Sequence, residues 1–437
     1  MREVLKEIRS ISYIAFPIMV AFISHLFMGF TDNVMAGRYS STDLAAISIG
    51  SAIWMPLYLF FSAVLSAITP MMAMMIGEGE VKKQKDLLYT GRLLGVGIGF
   101  FLLFVVYGTS HIIPFITRDL SISEISKNYI FFVSSGMPAL LLYQVYRSIF
   151  EAHGKTVPIM LSSFSGMLLN IPLNFIFIYG KLGMPAMGGA GCGIATSISS
   201  YFMLFILIIF YKKSIYLGKG KIDKNFAKRI VTLGLPIGAS TFLEAFVFSF
   251  GSIVLAPFGA VTVASHQVAL NFISTIFMIP MSLGIAISVR ISQFYGKKDL
   301  IYTTFIWKTG IAFVEFIALF SSLFIYLFSD IILNLYTKDA GVLQLAKPLL
   351  IIAISFHVID AFQVTVSNVM RGYHNTKFPM LVNIISYWII TLPLSYCLVY
   401  IFDLMAVGFW ISLVAGIVSS AFILGINLLN KYNFRKM

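Results

Sequence analysis

Long apolar runs succeed one another from end to end of the chain, separated by short polar stretches. A helix needs about 20 predominantly apolar residues to cross the hydrocarbon core of a bilayer. Windows of that kind fall at 11–36, 44–76, 87–114, 128–150, 157–179, 190–211, 230–256, 262–290, 302–328, 345–370, 378–401 and 406–430. They predict twelve transmembrane helices. The joins carry breakers and charge, as in GEGEVKKQKD at 77–86, TRDLSISEISK at 117–127, YKKSIYLGKGKIDKN at 211–225 and YGKKDL at 295–300.

Composition agrees with this pattern. Of 437 residues, 59% are hydrophobic and 11% charged, where a soluble domain carries about 25% charged residues. A soluble globular protein is excluded, and the class is an all-α polytopic membrane protein. The net charge of +13 would point to nucleic acid in a soluble chain. With a cytoplasmic N-terminus, however, 25 of the 31 Lys and Arg fall in inner segments. The six outer ones are Arg38, Arg118, Lys127, Lys181, Lys338 and Lys347. That bias follows the positive-inside rule, so both termini are expected to be cytoplasmic. The basic excess then orients the chain, nearly all of these side chains are expected to be solvated, and a nucleic-acid partner falls away. Residues 1–9 are too short and charged for a cleavable signal, so the first helix is expected to stay as an anchor. Cys192 and Cys397 lie in different halves with no His beside either, which indicates neither a disulfide framework nor a metal site.

The chain aligns with itself. At an offset of 219 residues Pro17-Ile18 matches Pro236-Ile237, Ala67-Ile68 matches Ala286-Ile287 and Gly77 matches Gly296. At 221, His153 matches His374, Pro172-Leu173 matches Pro393-Leu394 and Tyr179 matches Tyr400. Two copies of six helices share one orientation, as in transporters whose parallel repeats are related by an axis along the membrane normal. The expected domains are an N-terminal lobe at 1–211, a cytoplasmic linker at 212–229 and a C-terminal lobe at 230–437. The acids break the symmetry: Asp32 aligns with Gly251, Glu244 with His25 and Asp360 with Ala139.

An acid at the centre of a membrane helix costs about 2.5–3.5 kcal/mol on insertion scales, so each is a functional-site hypothesis. Glu244 lies 15 residues after Arg229 and Asp360 lies 13 after Lys347, both near mid-membrane. Two carboxylates at one depth can share a proton or a cation. Asp32 lies 23 residues after Arg9 and six before Arg38, in the outer third of its helix. At that level Asn170 and Asn174, spaced i, i+4, put two amides on one helix face. Between them Pro172 frees the Leu168 carbonyl, and Thr196 adds a hydroxyl. Such hard oxygens suit an alkali cation, although the two Asn alone would also serve as interhelical hydrogen-bond glue.

Glu315, seven residues past Lys308, is expected to snorkel to the cytoplasmic interface or pair with that lysine. His25, His266 and His357 are expected to be helix-packing residues, with His357, three before Asp360, the first to test. Phe and Met stripes mostly face lipid or pack, and some can line an adaptable cavity for amphipathic ligands. Pro17, Pro172, Pro236 and Pro393 are read equally as bend points or as static kinks.

These residues resemble the MATE (multidrug and toxic compound extrusion) family, in its bacterial NorM-like branch. The matching stretches are GFTDNVMAG at 29–37, LLNIPLN at 168–174 with FIYG at 177–180, GCGIAT at 191–196, ASHQVALN at 264–271 and MRGY at 370–373. The resemblance covers essentially the whole chain. It implies a multi-pass protein of the cell (inner) membrane, working as a monomer, that exports cationic amphipathic drugs and dyes in exchange for Na⁺ or H⁺ and confers antibiotic resistance. No cofactor is implied beyond the coupling ion. By motif, Asp32, Asn170, Asn174 and Thr196 would form the N-lobe cation or proton site. Glu244, Gln267 and Asp360, with His357 beside them, would form the C-lobe cation and substrate site; Na⁺ would bind at either set. Phe356 departs from the branch, which often has tyrosine there, and so lacks a coordinating hydroxyl.

The alternative in the same superfamily is a flippase for lipid-linked saccharides, for which a strongly basic cavity is expected, whereas the intramembrane charges here are acidic. An enzyme would need a nucleophile or metal constellation that the sequence lacks. A channel would need a repeated ring of ligands.

Overall fold

A computed structural model describes residues 1–117, 119–336 and 339–434. Arg118, Lys338, Arg435 and Lys436, four of the charges that entered the orientation argument, lie outside the described residues. Every regular element among the described residues is helical. In chain order they are α1 (Arg2–Tyr39), α2 (Ser41–Leu65), α3 (Ile68–Glu78), α4 (Val81–Thr109), α5 (Ile113–Ile116), α6 (Leu120–Ser134), α7 (Met137–Ala152) and α8 (Val157–Tyr179). There follow α9 (Ala190–Ser214), α10 (Lys224–Leu255), α11 (Ala260–Gly296), α12 (Leu300–Tyr336), α13 (Ala340–Gly372), α14 (Lys377–Asn383), α15 (Leu392–Tyr396) and α16 (Met405–Tyr432).

Eleven helical stretches among the described residues are long and apolar enough to cross a membrane, and α6 with α7 makes a twelfth if that bent pair is one span. The bend of 43° has a local cause. Pro138 offers no N–H to the preceding turn, and Ser135 and Gly136 tighten it by donating to Phe132 and Val133, three residues back, at 3.2 and 3.0 Å. Helical structure runs on through Pro17, Pro172 and Pro236. Near Pro393 the ladder widens instead, into π-helix at Ile384–Thr391 and Cys397–Ile401. There Thr391 Oγ1 returns a bond to the Ser386 carbonyl at 2.9 Å. Outlying acids are spent on caps, Asp119 on the α6 start and Asp339 on the α13 start.

The compact units differ from the expected lobes at their edges. One unit is Pro17–Gly238, and the other joins Met1–Phe16 to Ala239–Met437. The first residues of the chain belong with the later half because Glu7, 1% exposed, receives Arg290 through both carboxylate oxygens at 2.8 Å and the Tyr302 hydroxyl at 3.0 Å. The start of α10 belongs with the earlier half, where Gly234 abuts Val64 and Gly238 abuts Phe60. Chain order alone does not show such a crossing.

Several basic residues counted as solvated orientation markers are not solvated. Arg147, 7% exposed, donates to Glu151 at 2.8 Å and lies over the Phe22 ring, while Thr69 takes the other Glu151 oxygen at 3.0 Å. Arg92 sits between the rings of Tyr146 and Tyr211, 4.9 and 4.8 Å from their centroids. A guanidinium in a bundle end is held by a carboxylate or by aromatic faces in place of water.

Candidate cation and substrate sites

In the unit Pro17–Gly238 the four residues expected around Asp32 converge. α1 delivers Asp32, the buried face of α8 delivers Asn170 and Asn174, and the first turns of α9 deliver Thr196. Asn174 Nδ2 donates to Asp32 Oδ1 at 2.6 Å and to Asn170 Oδ1 at 2.9 Å. Thr196 Oγ1 donates to Asp32 Oδ2 at 3.1 Å. Each carboxylate oxygen thus accepts from one of these donors, with Asn170 close beside them. Asn174 Oδ1 and Asn170 Nδ2 are buried with no hydrogen-bond partner. Native interiors rarely leave such atoms unmet without a reason.

The backbone around this carboxylate is pinned. Tyr179 donates to the Met35 carbonyl at 3.0 Å, and the Cys192 thiol points at the Asp32 carbonyl at 3.8 Å. Asp43, at the start of α2, accepts from Gly189 N and fixes the turn before α9. Gly188 there has φ +55° and stands so close to the Asp43 carboxylate that no side chain fits. Sequence reasoning missed Asp43 and Tyr179 as part of this support; the signal for Asp43 was the Gly188-Gly189 turn that it clamps.

In the other unit the expected set divides. Glu244 on α10 and Asp360 on α13 are electrostatic neighbours. Arg371 and Tyr387 also lie within the reach of Glu244. Asp360 Oδ1 is buried without a hydrogen-bond partner, and the Tyr387 hydroxyl faces Glu244. Sequence reasoning missed Tyr387, one tyrosine among 21, and counted Arg371 only as a topology charge. Gln267 and His357 face elsewhere: Gln267 donates to Ser252 at 2.6 Å, and His357 Nε2 meets Ser321 Oγ at 3.3 Å. Phe356, 1% exposed, packs on Trp410 in the apolar core of this unit. His266 is likewise a packing residue, its Nδ1 accepting from Trp410 Nε1 at 3.2 Å.

Glu315 does not pair with Lys308 among the described residues. Its Oε1 is buried without a partner, and the Lys308 ammonium lies over the Trp307 ring.

The MatE family model matches twice, over residues 17–176 and 236–397. The chain belongs to the MatE family. It is 35% identical over 434 residues to the multidrug resistance protein NorM of Photobacterium profundum, covering 97% of this chain and 95% of that protein. To the multidrug resistance protein MdtK of Edwardsiella ictaluri it is 34% identical over 441 residues, covering 98% and 96%. In fold it is similar to the eukaryotic MATE transporter AtDTX14, with a TM-score of 0.89 at 19% identity over 98% of this chain and 97% of that one. It is also similar to the Vibrio cholerae MATE transporter VcmN in its bent form, at 0.88 and 17% over 98% of both chains. A MatE chain of this kind is a transport protein and not an enzyme.

Proposed function

We propose that this MatE protein is a secondary multidrug exporter of the cell (inner) membrane, with both termini cytoplasmic. It works as a monomer, moving cationic amphipathic compounds outward in exchange for Na⁺ or H⁺ by alternating access. The observation that carries the reading is the Asp32 carboxylate. Within the span it has no basic partner among the described residues, and its neighbours Asn170, Asn174 and Thr196 are all neutral. A carboxylate so placed is stable only with a proton or a cation, and the Asp32 carboxylate oxygens with the Thr196 hydroxyl form a hard set suited to either. Glu244 and Asp360 are a second acidic locus, with Arg371 as the countercharge of Glu244. The doubled family match, its blocks beginning at Pro17 and Pro236, supports the duplication that alternating access would use.

Purified protein in liposomes loaded with an ethidium-like dye tests this. Efflux is expected under an inward gradient of Na⁺ or of H⁺ applied separately, and Asp32→Asn is expected to abolish it. Absence of efflux under both gradients overturns the proposal in favour of a flippase.

A further inference from the structure

The first turns of α1 and the α12 face form a slot of about 560 Å³ whose walls include Val4, Ile8, Ala312, Phe313 and Phe316, with Lys308 among its lining residues. Both elements belong to the same compact unit. The slot exists because the Glu7 carboxylate, gripped by Arg290 and Tyr302, seats the N-terminal segment there. Beyond it the α12 face is wholly apolar: Phe316, Leu319, Phe320 and Leu323 are 57–65% exposed. On a span of this kind hydrocarbon covers such a face.

We propose that this slot is a binding site for an anionic phospholipid, its phosphate on Lys308 and an acyl chain along Val4, Ile8, Ala312, Phe313 and Phe316. The Lys308 ammonium has no carboxylate partner among the described residues, and it stands over the Trp307 ring, 5.4 Å from the centroid. The slot walls offer no negative charge. Of the nearby acids, Glu7 is neutralised by Arg290, and Glu3 lies towards Tyr302. A cation at the edge of an open apolar groove matches a lipid with one negative charge and a long chain, while a zwitterionic headgroup would bring a second cation against Lys308.

The test is native mass spectrometry of the purified full-length protein, with chain-matched phosphatidylglycerol and phosphatidylcholine in competition. Wild type is expected to retain phosphatidylglycerol with about fivefold preference, the scale of one basic residue at a membrane surface. Lys308→Gln is expected to erase the preference. Ala312→Trp, which fills the slot and keeps the lysine, is expected to erase it as well. Lys431→Gln, at the exposed end of α16, keeps it. Retained preference in either of the first two variants overturns the proposal, as does its loss in the third, since charge without the slot would then suffice.

Discussion

Asn174 donates one amide hydrogen to Asp32 at 2.6 Å and the other to Asn170 at 2.9 Å, so that both hydrogens of a single side chain are committed. The consequence is a fixed orientation. Its Oδ1 is turned away from the carboxylate and is left without a partner. Asn174→Ala removes a donor to a charged group, a bond worth about 1.5–3 kcal/mol. The coupling-ion concentration giving half-maximal dye efflux is expected to fall at least about tenfold, because a carboxylate stripped of a donor holds a proton or cation more tightly. Glue alone predicts the opposite pattern, a lower melting temperature with an unchanged ion dependence.

The C-terminal acids separate from their sequence neighbours in the same assay. Glu244 and Asp360 lie within electrostatic reach of one another and share Tyr387. Glu244→Gln and Asp360→Asn are each expected to cut transport at least about tenfold, because a mid-membrane charge is lost from a two-carboxylate locus. Gln267 and His357 bond instead to Ser252 and Ser321. His357→Asn and Gln267→Ala are therefore expected to stay within about threefold of wild type, the scale of one neutral hydrogen bond. A His357 variant as impaired as Glu244→Gln in steady-state dye efflux would put that histidine into the site after all.

The difference between the two sites shows what a linear sequence displays. Asp32, Asn170 and Asn174 were legible because depth can be counted from flanking charges and i, i+4 spacing marks a helix face. Helix count was legible for the same reason: span length is a bilayer property. The orientation of a side chain about its own helix was not. Gln267 and His357 have the right depth and face other partners, and Tyr387 lies on a π-helical segment whose register no 3.6-residue pattern predicts. The first sixteen residues group with the later unit, where Glu7 meets Arg290 in a bidentate pair and accepts from Tyr302. Nothing near Glu7 in the sequence announces it.

That pair makes a stability prediction. Glu7 is 1% exposed at its side chain and Arg290 18%. Removing one partner strands the other charge in a low-dielectric setting, at a cost of about 3–5 kcal/mol. Arg290→Met is expected to lower the unfolding temperature sharply in detergent. Replacing both, Glu7→Leu with Arg290→Met, is expected to recover most of the loss, since the desolvation cost disappears along with the attraction. If the double variant unfolds as early as the single one, the pair contributes attraction beyond its desolvation cost.

Packing of α4 on α7 gives a prediction that does not involve the charged sites. Gly91, Gly95 and Gly99, four residues apart, form one small-residue stripe, and it is this stripe that lets two membrane helices approach closely. A Cβ at Gly99 would stand 2.6 Å from Pro138 Cα, a backbone atom that cannot turn aside, whereas a Cβ at Gly97 meets nothing within 4 Å. Gly99→Ala is expected to destabilise by about 1–3 kcal/mol, the usual scale for forcing a methyl into a filled interface. Gly97→Ala adds the same methyl where there is room and removes backbone freedom from the unfolded chain. It is expected to be neutral, or to stabilise by up to about 1 kcal/mol. Thermal unfolding of the two variants side by side measures the contrast. Equal losses would mean that helix flexibility at both glycines, and not the contact with Pro138, sets the stability of this pair.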